Sequence, residues 1–205
     1  MPTLLLTHPA FKQHQTPQGH PERVDRIRAV EHILEQESFA ALWREEAPRV
    51  ERNSLLACHP ERHIEAIENA LPREGFAAID SDTMMSPGSL EASLRGAGAA
   101  TRAVDAVLSG EAHNAFAAIR PPGHHAERST AMGFCFFNNA AIAARYAQKK
   151  YGLGRVAIID WDVHHGNGTQ DIFWNDPSVL YCSTHEMPLY PGTGATSEQI
   201  GRAHV

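Results

Sequence analysis

The chain has 205 residues and a mass of 22.5 kDa, the size of a single domain. Apolar residues make up 42% and charged residues 20%, a globular composition that excludes a disordered, collagenous or coiled-coil chain. A net charge of −6, from 18 Lys and Arg against 24 Asp and Glu, leaves no basic footprint for nucleic acid, and no stretch approaches a membrane span.

In chain order, Leu4–Thr7 reads as a short first strand and His8–Gly19 as a polar loop. Pro21 is expected to open a helix with Val24, Ile27, Val30, Ile33 and Leu34 on one stripe. His-Pro-Glu-Arg occurs at 20–23 and again at 59–62, where Pro with Glu beside it suits a helix N-terminus. Ser89–Leu108 is Ala-rich and helical after the breaker Ser86-Pro87-Gly88. Ala115–Ile119 predicts a buried strand, Asn138–Lys150 a helix closed by Gly152 and Gly154, and Val156–Asp160 a second buried strand. Gln170–Trp174 is a short helical piece and Val179–Ser183 a further strand. This alternation implies an α/β fold with a parallel sheet covered by helices on both faces. Without a linker or composition break, 1–199 is read as one domain portion. Functional groups in such folds gather beyond the C-terminal strand ends.

Cys58, Cys135 and Cys182 are odd in number and include no CxxC, which excludes a disulfide framework or a Cys-based zinc ribbon and suits a reducing cytoplasm. The N-terminus has no basic segment and too short an apolar run for a signal peptide. The unusual count is 13 His, several of them clustered.

One cluster, Arg120-Pro121-Pro122-Gly123-His124-His125-Ala126, follows the Ala115–Ile119 strand. The other, Asp160-Trp161-Asp162-Val163-His164-His165-Gly166-Asn167-Gly168, follows Val156–Asp160. In an extended segment Asp160, Asp162 and His164 share one side, and a carboxylate and an imidazole so placed can grip a divalent metal. Nitrogen and oxygen donors without thiolate suit zinc, with non-haem iron as the second choice. Asp-x-His also reads as a solvated strand end and the tandem histidines as a surface loop. Asp160 ends a buried strand, however, and a buried carboxylate needs a partner.

Four motifs in order carry a resemblance: Arg120-Pro121-Pro122-Gly123-His124-His125-Ala126-Glu127, Gly133-Phe134-Cys135-Phe136-Phe137-Asn138, Asp160–Gln170, and Tyr190-Pro191-Gly192-Thr193-Gly194. With Gly19–Arg23, they resemble the zinc-dependent histone deacetylase and acetylpolyamine amidohydrolase superfamily, in its class II and bacterial form. The resemblance implies an arginase-like open α/β fold and zinc-dependent hydrolysis of an N-acetyl amide, of acetyl-lysine or acetylpolyamine type, to amine and acetate. By position, Asp162 and His164 match two zinc ligands, and His124 and His125 match the proton-handling tandem histidines. Asp160 matches the partner of His124, and Asn167 the support of His125. Gly133, Phe134 and Tyr190 match the acyl-lysine channel. Asp160, Asp162 and His164, through main-chain oxygens, with Ser183 and Thr184, match a structural potassium site.

The family's third zinc ligand, in a later Gly-Gly-Asp-Ala-like motif, and its carbonyl-polarising Tyr have no counterpart after Gly194. The chain is therefore expected to be the N-terminal portion of a deacetylase domain, unstable or inactive by itself. The final Ile200-Gly201-Arg202-Ala203-His204-Val205 can be back-translated into a sequencing-adapter-like read, so 200–205 is read as a non-native tail. Two alternatives accompany this reading. One is a catalytically incompetent acyl-binding remnant. The other is a non-haem iron oxygenase built on Asp162-x-His164, which leaves the tandem histidines unexplained.

Overall fold

The computed structural model describes residues 2–198. Gln199 and the expected non-native tail, 200–205, lie outside the described residues.

The chain opens with β1 (Thr3–Thr7), whose Leu4, Leu5 and Leu6 are fully buried. A 3-10 turn over Pro9–Lys12 follows, capped by His8 Nδ1, which accepts the Ala10 N–H at 3.1 Å. The segment 8–19 is thus not the solvated loop its polarity suggests, because Phe11 and His14 are buried and tied to Arg120. Helix α1 spans Asp25–Leu34, and β2 spans Trp43–Glu46. Two short helices, α2 (Arg52–Leu56) and α3 (Glu61–Asn69), precede the small antiparallel pair β3 (Ala77–Ala78) and β4 (Met84–Met85). Then come α4 (Ser89–Leu108), β5 (Asn114–Ala117), α5 (Asn139–Tyr151), β6 (Val156–Asp160), α6 (Asn167–Phe173) and β7 (Val179–Ser183).

Two expectations about α1 change. It starts at Asp25, four residues after Pro21, because the Glu22 side chain turns inward to pair with Arg120 instead of joining a first helical turn. Its stripe is also split. Val24, Ile27 and Leu34 are buried, whereas Val30 and Ile33 line an open apolar groove of about 600 Å³ with Phe39, Leu42 and Phe116.

Apart from the β3–β4 pair the strand pairing is parallel, as the alternation predicts, but among the described residues it forms two separate pieces. β1 lies between β2 and β5, and among the described residues β6 pairs only with β7, in the register Asp160 opposite Ser183. Coverage differs between strands: Leu4, Leu5 and Leu6 are consecutive and all buried, so β1 is covered on both faces. Along β5, β6 and β7 burial alternates with period two, leaving Phe116 50%, Ile159 56% and Leu180 46% exposed. The expected burial on both faces thus holds for β1, while among the described residues one face of β5, β6 and β7 is open.

The covered face meets α4, whose small side chains allow close approach on two sides. Ala92, Ala99 and Ala106 close one core with β1 and α1, while Leu94 and Ala97 join a second with Phe136, Phe137, Ile142 and Phe173. Helix α5 starts at Asn138, whose side chain accepts the Ala141 N–H at 3.0 Å, and stops at Gly152, which takes the left-handed conformation of a helix C-terminus. These caps hold the segment between β5 and α5, which carries the chemistry.

Candidate functional site

His124 and His125 leave the C-terminal side of β5, and Asp160, Asp162 and His164 leave the end of β6. The two strands do not pair, yet the segments after them meet in a cavity of about 290 Å³. It is lined by His124, His125, Gly133, Phe134, Asp162, His164 and Tyr190, all expected from the sequence.

The adjacent imidazoles have different partners. His124 Nδ1 donates to Asp160 Oδ2 at 2.8 Å. Asp160 Oδ2 also accepts the Tyr181 hydroxyl at 3.0 Å. Burial pushes the Asp160 carboxyl up, but His124, the Asp162 N–H and Tyr181 together hold it below the usual carboxylate range. His125 Nδ1 donates to Asn167 Oδ1 at 2.9 Å, while Asn167 Nδ2 donates to Glu127 Oε1 at 2.9 Å. The second bond fixes the amide orientation and makes Nε2 the basic nitrogen of the neutral His125 ring. Burial, then the neighbouring His124, lowers the His125 pKa to about 4, against the opposing hydrogen bond to Asn167. The rings of His124 and His125 lie 4.0 Å apart between centroids.

Asp162 and His164 form the opposite wall. Asp162 Oδ1 accepts the His164 N–H at 2.8 Å and lies 3.1 Å from His164 Nδ1. His124 Nε2 is 3.8 Å from the same oxygen. One carboxylate oxygen and one imidazole nitrogen so close, with no thiolate, are a hard-to-borderline donor pair that suits zinc. Among the described residues no set of three or more His, Cys, Asp or Glu side chains converges to hold a metal. Of the expected potassium set, Asp160 lies opposite Ser183 in the β6–β7 register, and its carbonyl accepts the Thr184 N–H at 3.0 Å.

The third wall is a tight turn. Met132 and Cys135 exchange backbone hydrogen bonds at 3.1 and 2.9 Å, and the residues between them, Gly133 and Phe134, have φ of +56° and +69°. Two consecutive positive φ values are the signature of a type I′ turn. A Cβ on Gly133 would sit 2.5 to 2.6 Å from the His125 ring, so only glycine allows this approach. Phe134 is the sole non-glycine residue with positive φ among the described residues, a conformation that costs roughly 1–2 kcal/mol. Tyr190 closes the fourth side, edge-on to His125 at 5.0 Å. Its loop is held by His165, whose Nδ1 meets Thr193 Oγ1 at 2.8 Å and whose ring leaves no room for a Cβ on Gly194.

Several residues at the site escape sequence reasoning. Glu22 and Arg26 line the cavity, and Glu22 Oε1 accepts Arg120 Nε at 2.7 Å with both side chains buried. Arg120 Nη1 also donates to the carbonyls of Phe11, at 2.9 Å, and His14. Repetition of His-Pro-Glu-Arg drew attention to Glu22 but gave no sign of a partner 98 residues away. Tyr181 could have been found from period-two alternation on β7, which turns Val179 and Tyr181 to the covered face.

The sequence profile of the histone deacetylase domain matches residues 20–204. The chain belongs to the histone deacetylase family. Similar proteins include a "Probable deacetylase" of Archaeoglobus fulgidus, 42% identical over 97% of this chain and 55% of that protein. A "Histone deacetylase-like amidohydrolase" of Pseudomonas aeruginosa is 41% identical over 89% of this chain and 48% of that protein. Among solved structures, the HD domain of HDA15 superposes with a TM-score of 0.88 at 38% identity, covering 94% of this chain and 58% of that one. The chain thus spans about half the length of the curated relatives it matches. The α/β fold with parallel strands and flanking helices is that of the family. Among the described residues no helix is long and apolar enough to cross a membrane.

Proposed function

We propose that the protein carrying this chain is a cytoplasmic zinc-dependent deacetylase that hydrolyses the N-acetyl amide of an acetylated amine, a protein lysine or a polyamine. One observation carries this reading. The Asp162–His164 donor pair faces two imidazoles with unlike partners, across a single cavity walled by Phe134 and Tyr190.

Asp162 and His164 are the residues that would hold zinc. Zinc, when bound, supplies Lewis acidity toward a carbonyl and makes water a stronger acid. His125, kept neutral by burial, offers Nε2 as the proton acceptor for the attacking water. His124, oriented through Nδ1 by the Asp160 carboxylate, delivers a proton from Nε2 to the leaving amine nitrogen. Phe134 and Tyr190 flank the aliphatic stem and exclude water from it. Main-chain oxygens of Asp160, Asp162 and His164, with Ser183 and Thr184, are the proposed structural potassium site.

The test is metal analysis of the full-length protein, with acetate release from acetyl-lysine peptide and from N-acetylated polyamine. Stoichiometric zinc and acetate release, both lost in Asp162→Ala, are expected. Bound iron with oxygen consumption would sink the hydrolase reading in favour of an oxygenase.

A further inference from the structure

Phe134 holds the one positive φ of a non-glycine residue in the described chain, so something outside its own turn must keep it there. The loop 80–83 supplies that restraint from two directions. Thr83, fully buried, accepts the Phe134 N–H on Oγ1 at 3.0 Å and donates its own proton to Asp82 Oδ1 at 3.1 Å. Asp80 Oδ1 fixes this loop by accepting the N–H of Asp82 at 3.0 Å and of Thr83 at 2.7 Å. From the other side, His20 bonds the Asp82 carbonyl through Nε2 at 2.9 Å and accepts the Glu22 N–H on Nδ1 at 3.1 Å. Its ring then packs edge-on against Phe134, with centroids 5.0 Å apart.

We propose that Thr83 is a positioning residue for the acyl-amine channel. Its hydroxyl holds the Phe134 backbone in the left-handed conformation that presents the phenyl ring to the substrate stem, with His20 as the matching side-chain stop. The proposal rests on the acyl-amide reading of the cavity, and its test separates the two. A wall that grips a non-reacting stem acts alike in ground state and transition state, so its loss appears in KM and spares kcat.

Two readouts decide it in the full-length protein. In the wild type, the Phe134 amide is expected to be protected from hydrogen exchange although the residue lies outside regular secondary structure. Thr83→Val keeps the side-chain volume and removes the acceptor. The Phe134 amide then exchanges about tenfold faster and KM for the acetylated amine rises on the order of tenfold, with kcat within about twofold, while α4 amides are unchanged. Thr83→Ser, which keeps the hydroxyl, restores both values. An unprotected Phe134 amide in the wild type overturns the proposal even if Thr83→Val fails to fold. So does a valine variant in which kcat falls while KM holds. A protected amide in a protein that turns over no acetylated amine overturns the activity reading, and with it the role of the latch in substrate binding.

Discussion

The Asp160 carboxylate and the His124 imidazole meet at 2.8 Å although 36 residues separate them, and Tyr181 closes the same carboxylate oxygen from a third segment. A carboxylate held by two donors keeps the ring in one orientation and with its proton on Nδ1, so Nε2 faces the cavity ready for proton transfer. Asp160→Asn preserves shape and removes the negative charge that holds the His124 ring in place for proton transfer. On the proposed activity, kcat of the full-length protein for acetate release is expected to fall roughly 100- to 10,000-fold with little change in KM, as measured by steady-state kinetics. An equal rise in KM with kcat unchanged would refute a proton-transfer role for the pair.

Glu22 and Arg120 form a buried ion pair that ties 8–19 to the loop carrying His124 and His125. Removing Arg120 takes away the buried partner of Glu22 and leaves it the exposed Arg26 at 3.4 Å and His14 at 3.3 Å, so Arg120→Met is expected to cost about 3 kcal/mol in urea unfolding. The double variant with Glu22→Gln is expected to recover part of that loss, because it removes the stranded charge.

His59 and His63 stack at 4.7 Å in the core behind the site. His59 accepts the Asn138 N–H on Nε2 at 3.0 Å and bonds the Arg128 carbonyl through Nδ1 at 3.2 Å, so both nitrogens are committed in the neutral form. Burial, then the neighbouring His63, lowers its pKa from 6.5 to about 4. Between those values the unfolded state binds more protons than the native state, so stability is full above pH 6.5 and drains as pH falls toward 4. The expected loss is about 3 kcal/mol, read from denaturation midpoints across that window. His59→Gln is expected to flatten that part of the profile.

Gly133 touches the His125 ring at a φ that L-residues avoid. Gly133→Ala adds backbone strain and pushes against the imidazole, so more than about 1 kcal/mol of stability is expected to go, with kcat/KM falling too. Thermal melting and turnover measure the two effects separately. Wild-type turnover in the alanine variant would mean that His125 moves freely.

Local features were the most legible in the sequence. The bounds of α4, β6 and β7 follow from the breaker Ser86-Pro87-Gly88 and from compact apolar runs, and they match the structure. The cavity was legible because its residues sit in short motifs at strand ends, where a parallel α/β fold gathers its chemistry. Relationships across long sequence separations were not. Arg120 reads as the first residue of a Pro-Pro-Gly loop, and only the folded chain brings Glu22 to it. Thr83 carries no motif at all, and its role depends on the turn at Phe134, 51 residues on. Ile159 reads as buried because an apolar run gives no sign of which face of a strand is covered.

His164 and His165 are joined by one peptide bond and work in opposite directions. The first faces the cavity, and the second is wedged against Thr193 and Gly194 in the loop that carries Tyr190. Adjacent residues thus serve two walls, so the mouth at Tyr190 and the nitrogen donor of His164 are anchored to the same short stretch of backbone.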